Sequence, residues 1–194
     1  MAGGYLGLSM ASSRNDGIER RQVLVIGLGT ALTLAGWRPA LAKTGRTEAR
    51  SLCFQSLHTG ERLRATYWEK GRYLPDALAE IDRVLRDHRT GEVARIDTGL
   101  LDLLHDLGCR LECDGRYEVI SGYRSPATNA ALQRAGHGVA RRSLHMDGQA
   151  IDIRVRGRDL AALRRAAVKL GRGGVGYYPR SGFVHVDVGR VRTW

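Results

Sequence analysis

Ser143-Leu144-His145-Met146-Asp147-Gly148-Gln149-Ala150-Ile151-Asp152, followed later by Phe183-Val184-His185-Val186-Asp187, decides how the chain folds. Successive side chains of a strand point to opposite faces. In 149–155, Ala150, Asp152 and Arg154 therefore share one face, and Ile151, Ile153 and Val155 the other. In 183–188, Phe183, His185 and Asp187 share a face, against Val184, Val186 and Val188. Each strand has an apolar side for helices to cover and a polar side. As neighbours in one sheet they bring Asp152, His185 and Asp187 together. His145 precedes the Gly148 turn and can fold back over the same face. Two imidazoles and a carboxylate leave a tetrahedral metal with an open fourth position, the pattern of catalytic rather than structural zinc. A hydrolase is the leading expectation. The plainer alternative is that Asp152, a poor strand former that needs a partner when buried, pairs with Arg154 or Arg156.

Working outward, 52–58 and 63–68 alternate around Thr59-Gly60-Glu61 and predict a hairpin. Leu78, Ile81, Val84 and Leu85 predict a helix over 75–89, with Pro75 in its first turn. Asp97 or Thr98 caps a second helix carrying Leu100, Leu103, Leu104 and Leu107, with Gly108 as its stop. A strand over 117–121 leads through Gly122-Tyr123-Arg124-Ser125-Pro126 into a helix over 127–134. A helix over 159–170 and a final hairpin around Pro179-Arg180-Ser181-Gly182 complete the chain. The order predicts an α+β fold, a small antiparallel sheet with helices.

The first residues read as an export signal. Arg20-Arg21 precedes an apolar run diluted by Gly and Thr, and Ala40-Leu41-Ala42 fits a cleavage site. The run is shorter than the roughly 20 residues of a membrane span. The expected organisation is a twin-arginine signal over 1–42, a loose polar leader over 43–50 and one domain over 51–194, placed in the periplasm with no stable membrane span. The 194 residues carry a net charge of +11; residues 1–42 hold four arginines and two acids, so their removal leaves +9. Such a surface suits an anionic polymer. No arginine-rich block interleaved with aromatics marks nucleic acid, and none is expected as a partner. Cys53, Cys109 and Cys113 lack a Cys-x-x-Cys spacing and do not read as metal ligands; an oxidising compartment permits one disulfide with an odd cysteine left over, and buried free thiols are the alternative. His58, His88, His105 and His137 read as loop histidines, with His137 the nearest decoy for a ligand.

Ser143, His145, Gly148, Ala150 and Asp152 form a Ser-x-His-x-x-Gly-x-Ala-x-Asp pattern that resembles the zinc D-Ala-D-Ala peptidases, whose fold is shared with the hedgehog signalling domain. The 121–125 turn, Gly174-Val175-Gly176-Tyr177-Tyr178 and Phe183-Val184-His185-Val186-Asp187 match in the same order. Within that family the chain is most similar to exported murein endopeptidases. The resemblance implies one Zn2+ ion held by His145, Asp152 and His185, with peptidoglycan peptide stems as partner. It implies that Arg124 binds a substrate carboxylate and that Ser143 contacts substrate.

Several relatives carry a Glu base three residues before the last His; here that position is Gly182. Asp187 is the candidate for the catalytic base, or for orienting the water or a ligand His. A shifted register would make it a ligand. His137 or Tyr178 is at hand for the oxyanion. The implied activity is hydrolysis of peptide cross-links. A D-Ala-D-Ala carboxypeptidase and a non-catalytic zinc-containing wall-binding domain are the alternatives.

Overall fold

A computed structural model describes residues 48–113, 115–136 and 138–194. The expected signal, most of the expected leader (43–47), and His137 lie outside them. Strand β1 (Ala49–Ser56) begins inside the stretch read as a leader: Ala49 and Arg50 already pair with Glu69 and Trp68. It forms the expected hairpin with β2 (Arg62–Glu69), which turns into the two-residue β3 (Arg72–Tyr73).

Helix α1 (Pro75–Val84) stops short of its predicted end. The Leu85 carbonyl is taken by the Tyr123 N–H at 2.8 Å, which diverts the chain into a turn. Helix α2 (Thr98–Leu111) is capped by the Asp97 side chain on Gly99 N–H. It runs through Gly108 rather than ending there. A Cβ on Gly108 would stand 2.9 Å from Gly115 Cα, so this glycine serves close packing and not termination.

The remaining elements are β4 (Arg116–Ser121), α3 (Pro126–Arg134), a 3-10 turn (Leu144–Asp147), β5 (Ala150–Arg154), α4 (Leu160–Leu170), β6 (Gly174–Tyr178), β7 (Phe183–Asp187) and β8 (Arg192–Thr193). The fold is α+β, as expected. Among the described residues its sheet has eight strands in the order β3-β2-β1-β4-β5-β7-β6-β8. It is mixed rather than purely antiparallel: β1 runs parallel to β4, and β6 to β8. The first of these pairs follows from a crossover through α1 and α2, which returns the chain beside β1.

One sheet face packs on α2 and α4. Leu52, Phe54, Tyr67, Tyr117, Ile151, Ile153, Val184 and Val186 meet Leu100, Leu104, Leu107 and Leu163 there. Burying a large apolar side chain is worth about 1.5–3 kcal/mol, so this layer is the main stabilising element. The opposite face carries Asp152 and His185 at one end and exposed Arg62, Arg64, Arg116 and Arg154 at the other. The three cysteines are free thiols. His105 belongs to α2 rather than to a loop.

Candidate metal centre

Strands β5 and β7 are antiparallel neighbours, and their register sets Asp152 directly opposite His185. Alternation turns both onto the face away from the helices. His145 reaches that face from the 3-10 turn. Gly148 ends the turn at φ +66°, and a Cβ there would lie 2.1 Å from the Arg95 carbonyl oxygen. Only glycine fits. The Gly148 carbonyl accepts from Asp97 N–H at 3.0 Å, and the His145 carbonyl from Arg124 N–H at 3.0 Å. The turn is thereby tied to the start of α2 and to the loop before α3.

Hydrogen-bond partners fix what each ring presents. His145 Nδ1 lies 2.7 Å from the Gly122 carbonyl oxygen, which can only accept, so the proton sits on Nδ1 and Nε2 offers a lone pair. His185 Nε2 lies 3.0 Å from Asp187 Oδ2 and donates to it, so Nδ1 offers the lone pair. These two nitrogens are 3.2 Å apart. Asp152 Oδ1 stands 2.9 Å from His185 Nδ1 and 3.3 Å from His145 Nε2. Three electron-pair donors thus converge with no proton among them when both rings are neutral.

That arrangement fits a cation. Ligand atoms about 2.0–2.1 Å from a tetrahedral zinc stand about 3.3 Å from each other. Electrostatics point the same way. Burial alone would lower the His185 imidazole, but Asp152 and Asp187, one on each nitrogen, raise it above its ordinary value. Burial alone would raise the Asp152 carboxyl, yet the His145 and His185 rings hold it well below the usual carboxylate range. The site calls for positive charge, and His145, Asp152 and His185 form a group that could hold a metal ion.

Asp187 is not among the converging atoms. It is fully buried behind His185. Its Oδ1 accepts from Gly174 N–H (3.0 Å), Gly189 N–H (2.9 Å) and Arg192 (3.0 Å). Its Oδ2 accepts from His185 and from Arg192 at 2.7 Å. Burial would raise this carboxyl, but His185, Arg192 and the two N–H groups hold it well below its usual range.

The same side of the fold opens into a cleft lined by the three converging residues together with Arg124, Ser143 and Tyr178. Arg124 is buried, not the solvated arginine its loop position would suggest. Its side chain lies 3.5 Å from Ser121 Oγ and 3.7 Å from Asp152 Oδ2, and its Nε has no hydrogen-bond partner among the described residues. Burial lowers its pKa, which Asp152 only partly offsets. Ser143 is also buried, and its hydroxyl bonds to no other described residue. Of the lining residues only Asp152 is a carboxylate.

Sequence reasoning did not single out Arg192, Trp194, or the pair His58 and His88. The last two read as loop histidines, yet their rings stack at 3.9 Å and line the cleft. Thirty residues of sequence separate them, and no local pattern links them. Arg192, five residues beyond Asp187, was the findable one, because a buried carboxylate needs a cation nearby.

The family model described as peptidoglycan L,D-endopeptidase MepK matches residues 44–194. Peptidoglycan L,D-endopeptidase MepK of Escherichia coli (strain K12) is 40% identical over 179 residues, covering 91% of this chain and 97% of that protein. The protein of the same name from Shigella flexneri gives the same figures. Probable peptidoglycan L,D-endopeptidase MepK of Haemophilus influenzae is 41% identical over 155 residues, covering 79% of this chain and 83% of that protein. With the match running through the whole described domain, the chain belongs to the MepK family of peptidoglycan L,D-endopeptidases.

Proposed function

We propose that this protein is an exported, zinc-dependent L,D-endopeptidase that hydrolyses peptide cross-links of peptidoglycan. The observation that carries the reading is the convergence of three proton-free donors beside a buried guanidinium with a free N–H. His145 Nε2, His185 Nδ1 and Asp152 would hold one Zn2+ ion. When bound, zinc supplies Lewis acidity toward water and the scissile carbonyl.

The chain's own groups do the rest. The Gly122 carbonyl and Asp187 fix the tautomers of the two histidines, the work of partners behind metal ligands. Asp187 is read as this positioning residue. Its oxygens are all engaged and it lies behind the ring, which leaves it no route to a substrate proton. Arg124 would grip the carboxylate of a stem-peptide residue beside the cut bond, its planar fork matching two oxygens. Ser143 would bond to the peptide backbone. Export along the twin-arginine route, with cleavage after residue 42, places the enzyme with its substrate in the periplasm. No helix among the described residues is long and apolar enough to cross a membrane.

The test is digestion of purified cross-linked muropeptides by the mature protein, with products identified by mass. Cleavage at L,D cross-links is expected with zinc and abolished by chelation. His145→Ala and His185→Ala should each lose the metal and all cleavage. Gly182, standing where several related peptidases carry a glutamate, favours one second reading, a zinc-holding domain without catalysis. Intact muropeptides after incubation with fully metal-loaded protein would decide for it.

A further inference from the structure

We infer that Tyr178 is a hydrogen-bond donor to the substrate's carbonyl oxygen at the metal cleft, and that Trp194 fixes the direction of its hydroxyl. The inference rests on the peptidase reading above and adds a catalytic group and a positioning residue to it.

An indole N–H can donate but has no lone pair to offer. Trp194 Nε1 lies 2.7 Å from the Tyr178 hydroxyl oxygen, so the phenol is the acceptor in this bond. Its own O–H must then point away from Trp194. Four other tyrosines of the fold are committed differently. Tyr67 and Tyr73 donate to Asp102, Tyr117 to the Leu104 carbonyl and Tyr123 to Glu92. Tyr178 donates to no described residue, and it lines the cleft that holds His145, Asp152 and His185.

Both partners are held in place. Tyr178 is the last residue of β6, directly across from Phe183 of β7, and the two rings stack at 4.7 Å. Alternation puts Tyr178 on the same face as Gly176 and puts Phe183 on that of His185. Gly176, opposite His185, leaves the space that the indole fills: a Cβ there would stand 2.7 Å from Trp194 Cε2. The indole thus neighbours both groups: its ring centre lies 5.3 Å from that of the His185 ring, and its N–H bonds to the tyrosine hydroxyl. The Trp194 backbone is fixed by its N–H on the Val175 carbonyl and its carbonyl on Tyr177 N–H. The Arg192 guanidinium, itself bonded to Asp187, covers the ring at 4.8 Å.

Attack on a peptide carbonyl moves negative charge onto its oxygen. A donor oriented beforehand stabilises that charge without reorganising at the moment of reaction, and one such donor is typically worth about 100- to 1000-fold in kcat. The cleft offers Tyr178 for this task with its acceptor side already occupied and its proton side free. The competing role for two exposed aromatics is a passive wall that packs against the substrate. That role needs the rings and not the hydroxyl.

Tyr178→Phe, Tyr178→Ala and Trp194→Phe separate the two roles. Metal content, kcat and KM on a soluble cross-linked muropeptide, and calorimetric affinity of the metal-free protein for the same muropeptide are measured for each. Tyr178→Phe should keep the metal, KM and metal-free affinity, and lose about 100-fold in kcat. Trp194→Phe keeps an aromatic ring without the N–H and should lose roughly 10-fold in kcat, with KM unchanged, as expected when a donor is misdirected rather than removed. In the proton NMR spectrum the indole N–H signal that vanishes in Trp194→Phe should shift upfield in Tyr178→Phe. Wild-type kcat in Tyr178→Phe overturns the proposal. So does a loss confined to KM and metal-free affinity and seen only in Tyr178→Ala, which makes the pair a binding wall. An indole signal unmoved in Tyr178→Phe refutes the hydrogen bond itself. Absence of cleavage by the wild-type protein overturns the peptidase reading instead, while wild-type cleavage with an unimpaired Tyr178→Phe overturns only the role of the hydroxyl.

Discussion

Two carboxylates in this fold look alike in isolation and do different things. Asp102 of α2 accepts from Arg50 (2.8 Å), Tyr67 (2.9 Å) and Tyr73 (2.8 Å), tying β1, β2 and β3 to the helix. Asp187 accepts from His185, Arg192 and two backbone N–H groups. In both, burial would raise the carboxyl but the surrounding donors hold it below its usual range. The difference is in the partners. Tyr67, Tyr73 and Arg50 turn their donors inward to Asp102 and present no lone pair to a cleft. His185 has a second nitrogen, and fixing one end of the ring aims the other at Asp152 and His145, the candidate metal centre. A saturated carboxylate marks a function only when one of its partners faces somewhere else.

Asp187→Asn is the strongest way to break that comparison. The amide no longer enforces the Nε2–H tautomer of His185. Metal affinity should fall about 10- to 100-fold, the usual cost of losing a partner behind a ligand. Zinc titration against a competing chelator measures it. Unchanged affinity together with a large loss of rate would return Asp187 to the role of base.

Arg124→Lys sharpens the contrast within the cleft. Charge is kept and the two-pronged contact is lost. Cleavage of a free-acid muropeptide should slow roughly 10-fold at normal metal content, a loss of about 1.4 kcal/mol in transition-state binding. The defect should shrink when the neighbouring carboxylate is amidated, and equal defects on both substrates would remove the carboxylate contact.

Asp102→Asn should leave metal and activity intact while lowering stability by about 1–2 kcal/mol, the cost of impairing a partly buried charge-assisted network. Urea melts at pH 7 read it directly. Because the folded carboxyl is depressed, its stabilising contribution is complete above the free Asp value of about 4 and is lost as pH falls through the folded value. The gap between wild type and variant should therefore narrow as pH falls below about 4. A gap that widens on acidification would mean that Asp102 is not charged in the fold.

Much of this was legible beforehand where the information is local. Alternation in 149–155 and 183–188 placed Asp152 and His185 on one face, and the observed register sets them opposite each other. The β1–β2 and β6–β7 hairpins and the α-helices followed from turn residues and apolar spacing. The parallel pairing of β1 with β4 did not, because no periodicity within either strand encodes a partner some sixty residues away. The edge strands β3 and β8 are two residues long and carry no period at all. For the site, residue types announced the converging donors. The surroundings of Asp187 did not announce themselves: two of its partners are backbone N–H groups, which any residue can supply. The Tyr178–Trp194 bond was likewise hidden, since it depends on the empty space over Gly176.

The margins of the sheet carry a further consequence. An unpaired strand edge is a template on which another chain can add, and long flat edges invite aggregation. Here β3 and β8, at the two margins, offer only two residues each, and both strands begin with an arginine. The short strand β8, with Trp194 behind it, covers β6 from Gly174 to Tyr177. Peeling it away would bare a longer edge for association between molecules, and would also release Arg192 from Asp187 and Trp194 from Tyr178. Colloidal behaviour and the proposed donor geometry of the cleft thus hang on the same three residues, and a protein that has begun to self-associate through this margin has already dismantled one wall of its cleft.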